Sequence, residues 1–68
     1  MNIFCFRLKQ LRKEYKLNQV DLAKALKVSQ SIIARWESGE CEPTVTNILA
    51  IAEYFSVTTD YLLGKDEY

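Results

Sequence analysis

A set of small and polar side chains falls on one side of a predicted helix between residues 30 and 38, and their chemistry suits the reading of nucleic-acid bases. At 100° per residue they lie opposite Ile33 and Trp36. A glutamine amide can pair with N6 and N7 of adenine, and an arginine guanidinium can pair with O6 and N7 of guanine. The major groove of DNA admits one α-helix that carries such side chains. The candidate base-reading residues are Gln30, Ser31, Ala34 and Arg35.

The rest of the sequence offers no group of side chains with the spacing that catalysis or metal binding requires. Histidine, the commonest general base and metal ligand, is absent. Glu14, Asp21 and Glu53 are scattered and have no candidate nucleophile beside them. Cys5 and Cys41 are too isolated for a metal site or a disulfide framework. We therefore expect no enzymatic activity, no cofactor and no bound metal, and two reduced thiols in a cytoplasmic protein.

The length and the charge distribution indicate one small domain with a basic half. The 68 residues are 49% hydrophobic and 26% charged, which is a globular composition. We expect no membrane span and no signal peptide, because no long apolar run is present. The net charge is zero, but residues 1–37 contain eight basic and three acidic residues, and residues 38–68 contain one and six. The two parts therefore carry +5 and −5. This predicts that the basic part holds the functional surface and that the acidic part has a structural role. The alternative is a chance segregation of solvated charges.

Apolar periodicity and helix-end signals predict an all-α protein of five short helices. A side chain that accepts from a free helix amide marks each start, and a glycine marks two of the ends. The predicted N-caps are Asn2, Asn18, Ser29 and Thr44, with a last short turn of helix opening at residues 58–60. Asp21 is expected to complete a capping box with Asn18. Gly39 and Gly64 are expected to end the third and the fifth helix.

The same periodicity predicts the buried side of each helix. The predicted buried residues are Phe4, Leu8, Leu11 and Tyr15 in the first helix, Val20, Leu22, Ala23 and Leu26 in the second, Ile32, Ile33 and Trp36 in the third, and Val45, Ile48, Leu49, Ala52 and Phe55 in the fourth. Two short helices joined by a tight turn, the second with a polar outer face, form the helix-turn-helix layout. We expect this layout at about residues 19–38.

Five segments of the chain, in order and with matching spacing, resemble the lambda/434 repressor and Cro family of DNA-binding domains, also called the XRE or Cro/C1 type. They are residues 17–23, 28–30, 33–39, 42–44 and 60–64. The resemblance implies a compact five-helix lambda-repressor-like domain at 4–64, followed by a short acidic tail at 65–68. It also implies sequence-specific binding of double-stranded DNA by a small transcriptional regulator, a repressor that reads the major groove with its third helix.

The resemblance assigns roles to individual residues. Gln19 matches a family glutamine that binds a DNA phosphate and supports the reading helix. Arg12 and Glu37 match a structural ion pair, which leaves them no direct DNA role. The residues that the resemblance places at the DNA backbone are Asn18, Gln19, Ser29 and Ser38.

The sequence departs from the family pattern at several positions. Lys16, Lys27 and Ser56 stand where relatives commonly have glycine. Each either adopts a left-handed backbone, at a cost of about 1 kcal/mol, or ends its helix in a different turn. Glu40 and Glu42 are acidic where basic residues would help to bind phosphate.

A single domain reads about one half-site, so the resemblance also implies a palindromic operator and a weak homodimer. The expected dimer surface contains Tyr54, Tyr61 and Leu63, although single exposed aromatic residues often have no role. Two other functions stay open. The chain could be an antitoxin or phage-switch component whose acidic C-terminal half binds a protein partner. It could also be a protein-interaction module that uses the helix-turn-helix scaffold without binding DNA.

Overall fold

The structure, a computed structural model, describes residues 3–65, and these residues form five α-helices without a β-strand. The helices are α1 (Ile3–Glu14), α2 (Gln19–Leu26), α3 (Gln30–Ser38), α4 (Val45–Phe55) and α5 (Thr59–Leu63). The all-α, five-helix prediction is confirmed. Asn2 and residues 66–68, where we predicted an N-cap and the end of an acidic tail, lie outside the described residues. Within residues 3–65, every helix is too short or too polar to cross a membrane.

The helices begin where a side chain satisfies a free backbone amide. The side chain of Asn18 accepts from the Asp21 N–H at 2.7 Å, and the Asp21 carboxylate accepts from the Asn18 N–H at 3.3 Å. This reciprocal pair is the predicted capping box. Ser29 and Thr44 cap α3 and α4, as predicted, and each accepts from one backbone N–H without a reciprocal bond. Thr58 accepts from the Tyr61 N–H and caps α5.

Left-handed residues end the helices. Gly39 and Gly64 have φ of 84° and 83°, as their predicted role requires. Lys16, Lys27 and Ser56 adopt φ of 59°, 61° and 57°, so the chain keeps the left-handed ending without glycine. Each of these three residues therefore carries a backbone cost of about 1 kcal/mol.

The core lies where all five helices meet. Its innermost side chains, each without solvent exposure, are Leu8, Leu22, Ile33, Ile51 and Leu62. Trp36 and Phe55 fill the space beside them and are almost fully buried. Because α2 and α1 both pack on α3, the buried side of α3 is fixed and its polar side faces outward.

Four of the residues predicted to be buried are exposed: one on α2, two on α4 and one beyond the end of α1. On α2, Leu22 and Ala23 are buried whereas Val20 is exposed. On α4, the residues buried are Ile51, Ala52 and Phe55. Val45 and Leu49 are exposed because the apolar arc of α4 is wider than the side that its neighbours cover. Tyr15 is exposed as well and lies beyond the end of α1.

Side-chain contacts close the domain at both ends of α1. The Tyr15 hydroxyl donates to the Phe55 carbonyl at 3.1 Å, and the two rings meet edge to face with centroids 4.8 Å apart. Near the start of α1, the Arg7 guanidinium donates to the Tyr61 carbonyl and lies 4.2 Å from the centre of the Tyr61 ring. These contacts join α1 to the end of α4 and to α5.

We predict that Ser56→Gly stabilises the domain. Ser56 is exposed and has φ of 57°, so glycine removes a steric cost and should raise the free energy of unfolding by about 1 kcal/mol. Gly64→Ala is the matched contrast, because Gly64 has φ of 83° and a Cβ there would collide with Cγ2 of Ile3. It should lower the free energy of unfolding by at least about 1 kcal/mol. Urea denaturation measures both, and a lower midpoint for Ser56→Gly would contradict this account.

Candidate nucleic-acid interface

The polar side of α3 forms an exposed surface after a three-residue turn from α2. Lys27, Val28 and Ser29 make the turn, with Lys27 in the left-handed region and Ser29 as the N-cap of α3. Ile33 and Trp36 fix the opposite side of α3 in the core. The candidate base-reading residues therefore share one surface: Gln30, Ser31 and Arg35 are exposed, and Ala34 is half-buried between them.

A chain of hydrogen bonds orients Gln30. Its Nε2 donates to Oε1 of Gln19 at 2.6 Å, and Nε2 of Gln19 donates to Oε1 of Glu37 at 3.1 Å. The two glutamine amides are therefore fixed relative to each other, and each has one defined donor and acceptor side. The contact between Gln19 and the reading helix, implied by the family resemblance, is present in the structure. Gln30 keeps one Nε2 hydrogen and its Oε1 for a further partner.

A charged pair supports the inner end of this chain. Arg12 donates to both carboxylate oxygens of Glu37, from Nε at 2.6 Å and from a terminal nitrogen at 3.0 Å. A third donor of Arg12 reaches the Leu17 carbonyl at 2.9 Å. The hydrogen bond to Glu37 raises the pKa of Arg12 above its ordinary value. The predicted structural ion pair is thus observed between α1 and α3.

The N-caps of α2 and α3 leave hydrogen-bond donors for a phosphate. Oδ1 of Asn18 accepts from the Asp21 N–H, which leaves the Asn18 amide nitrogen as a donor. The hydroxyl oxygen of Ser29 accepts from the Ile32 N–H at 3.2 Å and lies 3.4 Å from the Ser31 hydroxyl. The hydrogen of Ser29 can therefore point either to Ser31 or outward.

Ser38 differs from the other residues assigned to the DNA backbone. Its hydroxyl donates to the Arg35 carbonyl at 3.1 Å and accepts from the Glu40 N–H at 3.3 Å. A phosphate oxygen needs a donor, and the single hydrogen of Ser38 is engaged. Binding a phosphate would break this bond at the end of α3. The acidic residues Glu40 and Glu42 next to it are exposed.

The residues of the predicted dimer surface differ in their exposure. Tyr61 is half-buried beneath Arg7, so it is not the exposed aromatic residue that the sequence suggested. The Tyr54 ring is partly exposed but packs near Tyr15 and Phe55. Its centroid lies 6.5 Å from that of Tyr15 and 5.0 Å from that of Phe55. Leu63 is exposed as expected. Val45 and Leu49, which the apolar periodicity placed in the core, are two of the most exposed apolar residues of the described chain.

Residues 3–65 contain no cluster of acidic or cysteine side chains that could hold a metal ion. Cys5 is buried, Cys41 is half-buried, and neither is in a disulfide. The concave regions of this part of the chain are shallow. One of them, a groove of about 170 Å³ between α1, α4 and α5, is lined by Ile3, Phe4, Glu42, Pro43, Ile48 and Leu63.

Comparison with known proteins agrees with this architecture. The chain is 43% identical over 61 residues to the transcriptional activator BcrR of Enterococcus faecalis. The aligned residues make up 90% of this chain and 30% of that protein. It is 38% identical to the transcriptional regulator DicA of Escherichia coli, over 90% of this chain and 45% of that protein. The chain thus spans less than half the length of these relatives.

A solved structure gives the fold comparison. The P22 c2 repressor protein, crystallised in complex with a synthetic operator, superposes with a TM-score of 0.88 and 35% identity, covering 97% of this chain and all of that one. The family model described as helix-turn-helix matches residues 8–62, from the middle of α1 to α5. This match includes the α2–turn–α3 unit and the Arg12–Glu37 pair. The chain therefore belongs to the Cro/C1 type of the helix-turn-helix family.

Proposed function

We propose that this chain binds specific double-stranded DNA and acts in the cytoplasm as a small transcriptional regulator, a repressor that occupies promoter DNA. The observation that carries this proposal is the orientation of Gln30 on the exposed side of α3 by Gln19. A glutamine that only contacts solvent satisfies its amide with water and requires no side-chain partner. A base-reading glutamine gains from one, because it meets the base edge with little rotamer entropy left to lose.

The free groups of Gln30 match adenine. With one Nε2 hydrogen donated to Gln19, the other can donate to N7 of adenine while Oε1 accepts from N6. Arg35 lies one turn and a half further along α3 and carries the donor pair that suits O6 and N7 of guanine. Ser31 and Ala34 between them are small enough to let the helix approach the bases, and Ala34 offers a methyl group to thymine.

Backbone contacts would position α3 in the groove. Asn18, Gln19 and Ser29 stand at the starts of α2 and α3 and offer side-chain donors next to free helix amides. Ser38 can donate to a phosphate only if its hydrogen bond to the Arg35 carbonyl breaks. The basic half of the chain, residues 1–37, supplies the favourable field for phosphate.

The relatives support a regulatory role and differ in its direction. BcrR is named an activator, DicA a regulator and the P22 c2 protein a repressor. The P22 c2 protein was crystallised with an operator, and we carry DNA binding to this chain on that likeness. The predicted domain at 4–64 encloses the family match, and its exact bounds stay a prediction. We expect a palindromic operator with one copy of the chain on each half-site, and therefore a weak homodimer.

Binding measured across salt concentrations tests the proposal against the alternatives. Selection from random duplex DNA should enrich one sequence, and the logarithm of its binding constant should fall linearly with the logarithm of the salt concentration. A protein-interaction module on the same scaffold predicts no enriched sequence and no such slope. The acidic residues Glu40 and Glu42 favour that alternative. An enzymatic role has no residue support in the described part of the chain, and we propose none.

We predict that Gln30→Ala relaxes base preference at a single position of the selected site. The substitution should cost about 1–3 kcal/mol on the preferred base and much less on the other three. Competition binding with four duplexes that differ at that base pair measures this. Gln10→Ala is the matched control, because Gln10 is an exposed glutamine on α1. Equal losses on all four duplexes would show that Gln30 does not read a base.

We predict that Gln19→Ala and Gln30→Ala are coupled. Gln19→Ala should weaken binding to every sequence, because a phosphate contact is lost, and should also reduce the base preference set by Gln30, because the 2.6 Å bond is lost. The double variant should then lose less than the sum of the two single losses. Arg35→Ala combined with Gln19→Ala serves as the comparison pair, because Arg35 does not contact Gln19 in any described hydrogen bond. Strict additivity for Gln19 and Gln30 would refute their coupling.

A further inference from the structure

The outer side of α1 carries an exposed phenylalanine next to two lysines. Phe6 is 56% exposed, and among the described residues of α1 it is the one large apolar side chain that is exposed. Lys9, Gln10 and Lys13 are exposed as well. With Phe6 they line a shallow depression of about 230 Å³. We call these four side chains the α1 outer face.

Helix geometry places the α1 outer face away from the core and from α3. At 100° per residue, its four side chains fall within an arc of about 100°. The centre of this arc lies about 180° from the centre of the arc formed by Phe4, Leu8 and Leu11, which are buried in the core. The buried side of α3 packs in the same core and contacts α1 there. A molecule bound to the α1 outer face therefore leaves the polar side of α3 uncovered.

Neither the exposure of Phe6 nor the spacing of the lysines is required by the fold. A polar side chain in place of Phe6 would be compatible with the same helix. Lys9 and Lys13 are four residues apart, at which distance like charges on a helix repel each other. Neither lysine forms an ion pair with a carboxylate among residues 3–65. A partner that brings carboxylates to this face would relieve the repulsion and cover the ring at the same time.

We propose that the α1 outer face binds an acidic segment of another protein, which places carboxylates opposite Lys9 and Lys13 and an apolar side chain on the ring of Phe6. An aromatic anchor with charged residues around it is the arrangement found at the centres of protein interfaces. An amphipathic helix fits this face, because acidic residues four positions apart have the same spacing as the two lysines. The inference goes beyond DNA binding and does not depend on it.

The charges of the α1 outer face favour this occupant over three others. A symmetric contact with a second copy would set lysines against lysines, which lowers affinity. A membrane surface requires a helix with a wide apolar side, whereas Phe6 is a single apolar side chain here. DNA that lies along the polar side of α3 cannot also reach the α1 outer face, because the two surfaces lie on different sides of the domain.

Fluorescence anisotropy with synthetic peptides measures this binding in the absence of DNA. The probe is a labelled helix-forming peptide of about 18 residues, with leucine along one side and glutamates four positions apart beside it. Two control peptides have glutamine or lysine in place of every glutamate. The native chain should bind the glutamate peptide at least about tenfold more tightly than the glutamine peptide. This preference should decrease as salt is added, because exposed charges are screened.

Substitution of the ring tests the apolar part of the contact. Phe6→Ser should weaken binding of the glutamate peptide about 5–30-fold, as expected for an interface anchor. Leu49→Ser is the matched control, because Leu49 is also 56% exposed but lies on α4, and it should bind the peptide as tightly as the native chain.

Reversal of the lysines tests the charged part. The double variant Lys9→Glu, Lys13→Glu should lose its preference for the glutamate peptide and bind the lysine peptide more tightly than the native chain does. The double variant Lys24→Glu, Lys27→Glu is the matched control. It makes the same change of net charge at two exposed lysines of α2 and its C-cap, and it should keep the preference for the glutamate peptide.

Several outcomes would overturn the proposal. They are equal binding of the glutamate and glutamine peptides by the native chain, unchanged binding by Phe6→Ser, and an equal loss in the control variant of α2, which would trace the binding to net charge. Binding to phosphatidylglycerol vesicles that depends on Phe6, without binding of the peptide, would assign the face to a membrane. A dimer in sedimentation that Phe6→Ser abolishes would assign it to a second copy.

The proposed DNA binding is judged separately. If the native chain enriches no duplex sequence, the proposed function fails, and the peptide measurements still decide this inference. If a sequence is enriched, the chain bound to that duplex should bind the glutamate peptide as tightly as the free chain. Displacement of the duplex by the peptide would overturn the assignment to the α1 outer face. Thermal unfolding verifies that each variant is folded.

Discussion

The ion pair between Arg12 and Glu37 connects the fold to the exposed surface of α3. Its two hydrogen bonds, at 2.6 and 3.0 Å, tie α1 to α3 beside the core. The same carboxylate accepts from Gln19, and Gln19 in turn accepts from Gln30. Both side chains are largely shielded from solvent, so loss of one partner would leave the other without its opposite charge. The position of the Gln30 amide therefore depends on an interaction made at the other end of α3.

On the proposed DNA binding, this arrangement would separate the residues that position α3 from those that read bases. Hydrogen bonds among Arg12, Glu37 and Gln19 hold α3 against α1 and α2. Ser31, Ala34 and Arg35 make no contribution to the buried side of α3. On that proposal, substitutions among these outer residues would change the favoured base with little cost to stability, whereas substitutions of Arg12, Glu37 or Gln19 would disturb the position of α3.

Much of the fold could be predicted from the sequence because helix ends are local chemistry. The N-caps at Asn18, Ser29 and Thr44 act within four residues, and each forms as expected. Burial was harder to predict, since it depends on which neighbour covers a helix. The apolar arc of α4 allowed two choices, and the core took the side with Ile51, so Val45 was wrongly assigned. The bond between Gln19 and Gln30 joins residues eleven positions apart, and no local pattern encodes it. The family resemblance implied only that Gln19 supports the reading helix.

The uneven charge has a consequence for how the molecule meets DNA. With zero net charge, the long-range pull towards a polyanion is weak, and it fades within a Debye length of about 10 Å at 0.1 M salt. The charge is nevertheless divided unevenly along the sequence, with +5 on residues 1–37 and −5 on residues 38–68. On the proposed DNA binding, the part of the chain that contains α1–α3 would be the part attracted to the phosphates. The chain would then avoid the non-specific retention along DNA that a strongly basic protein shows.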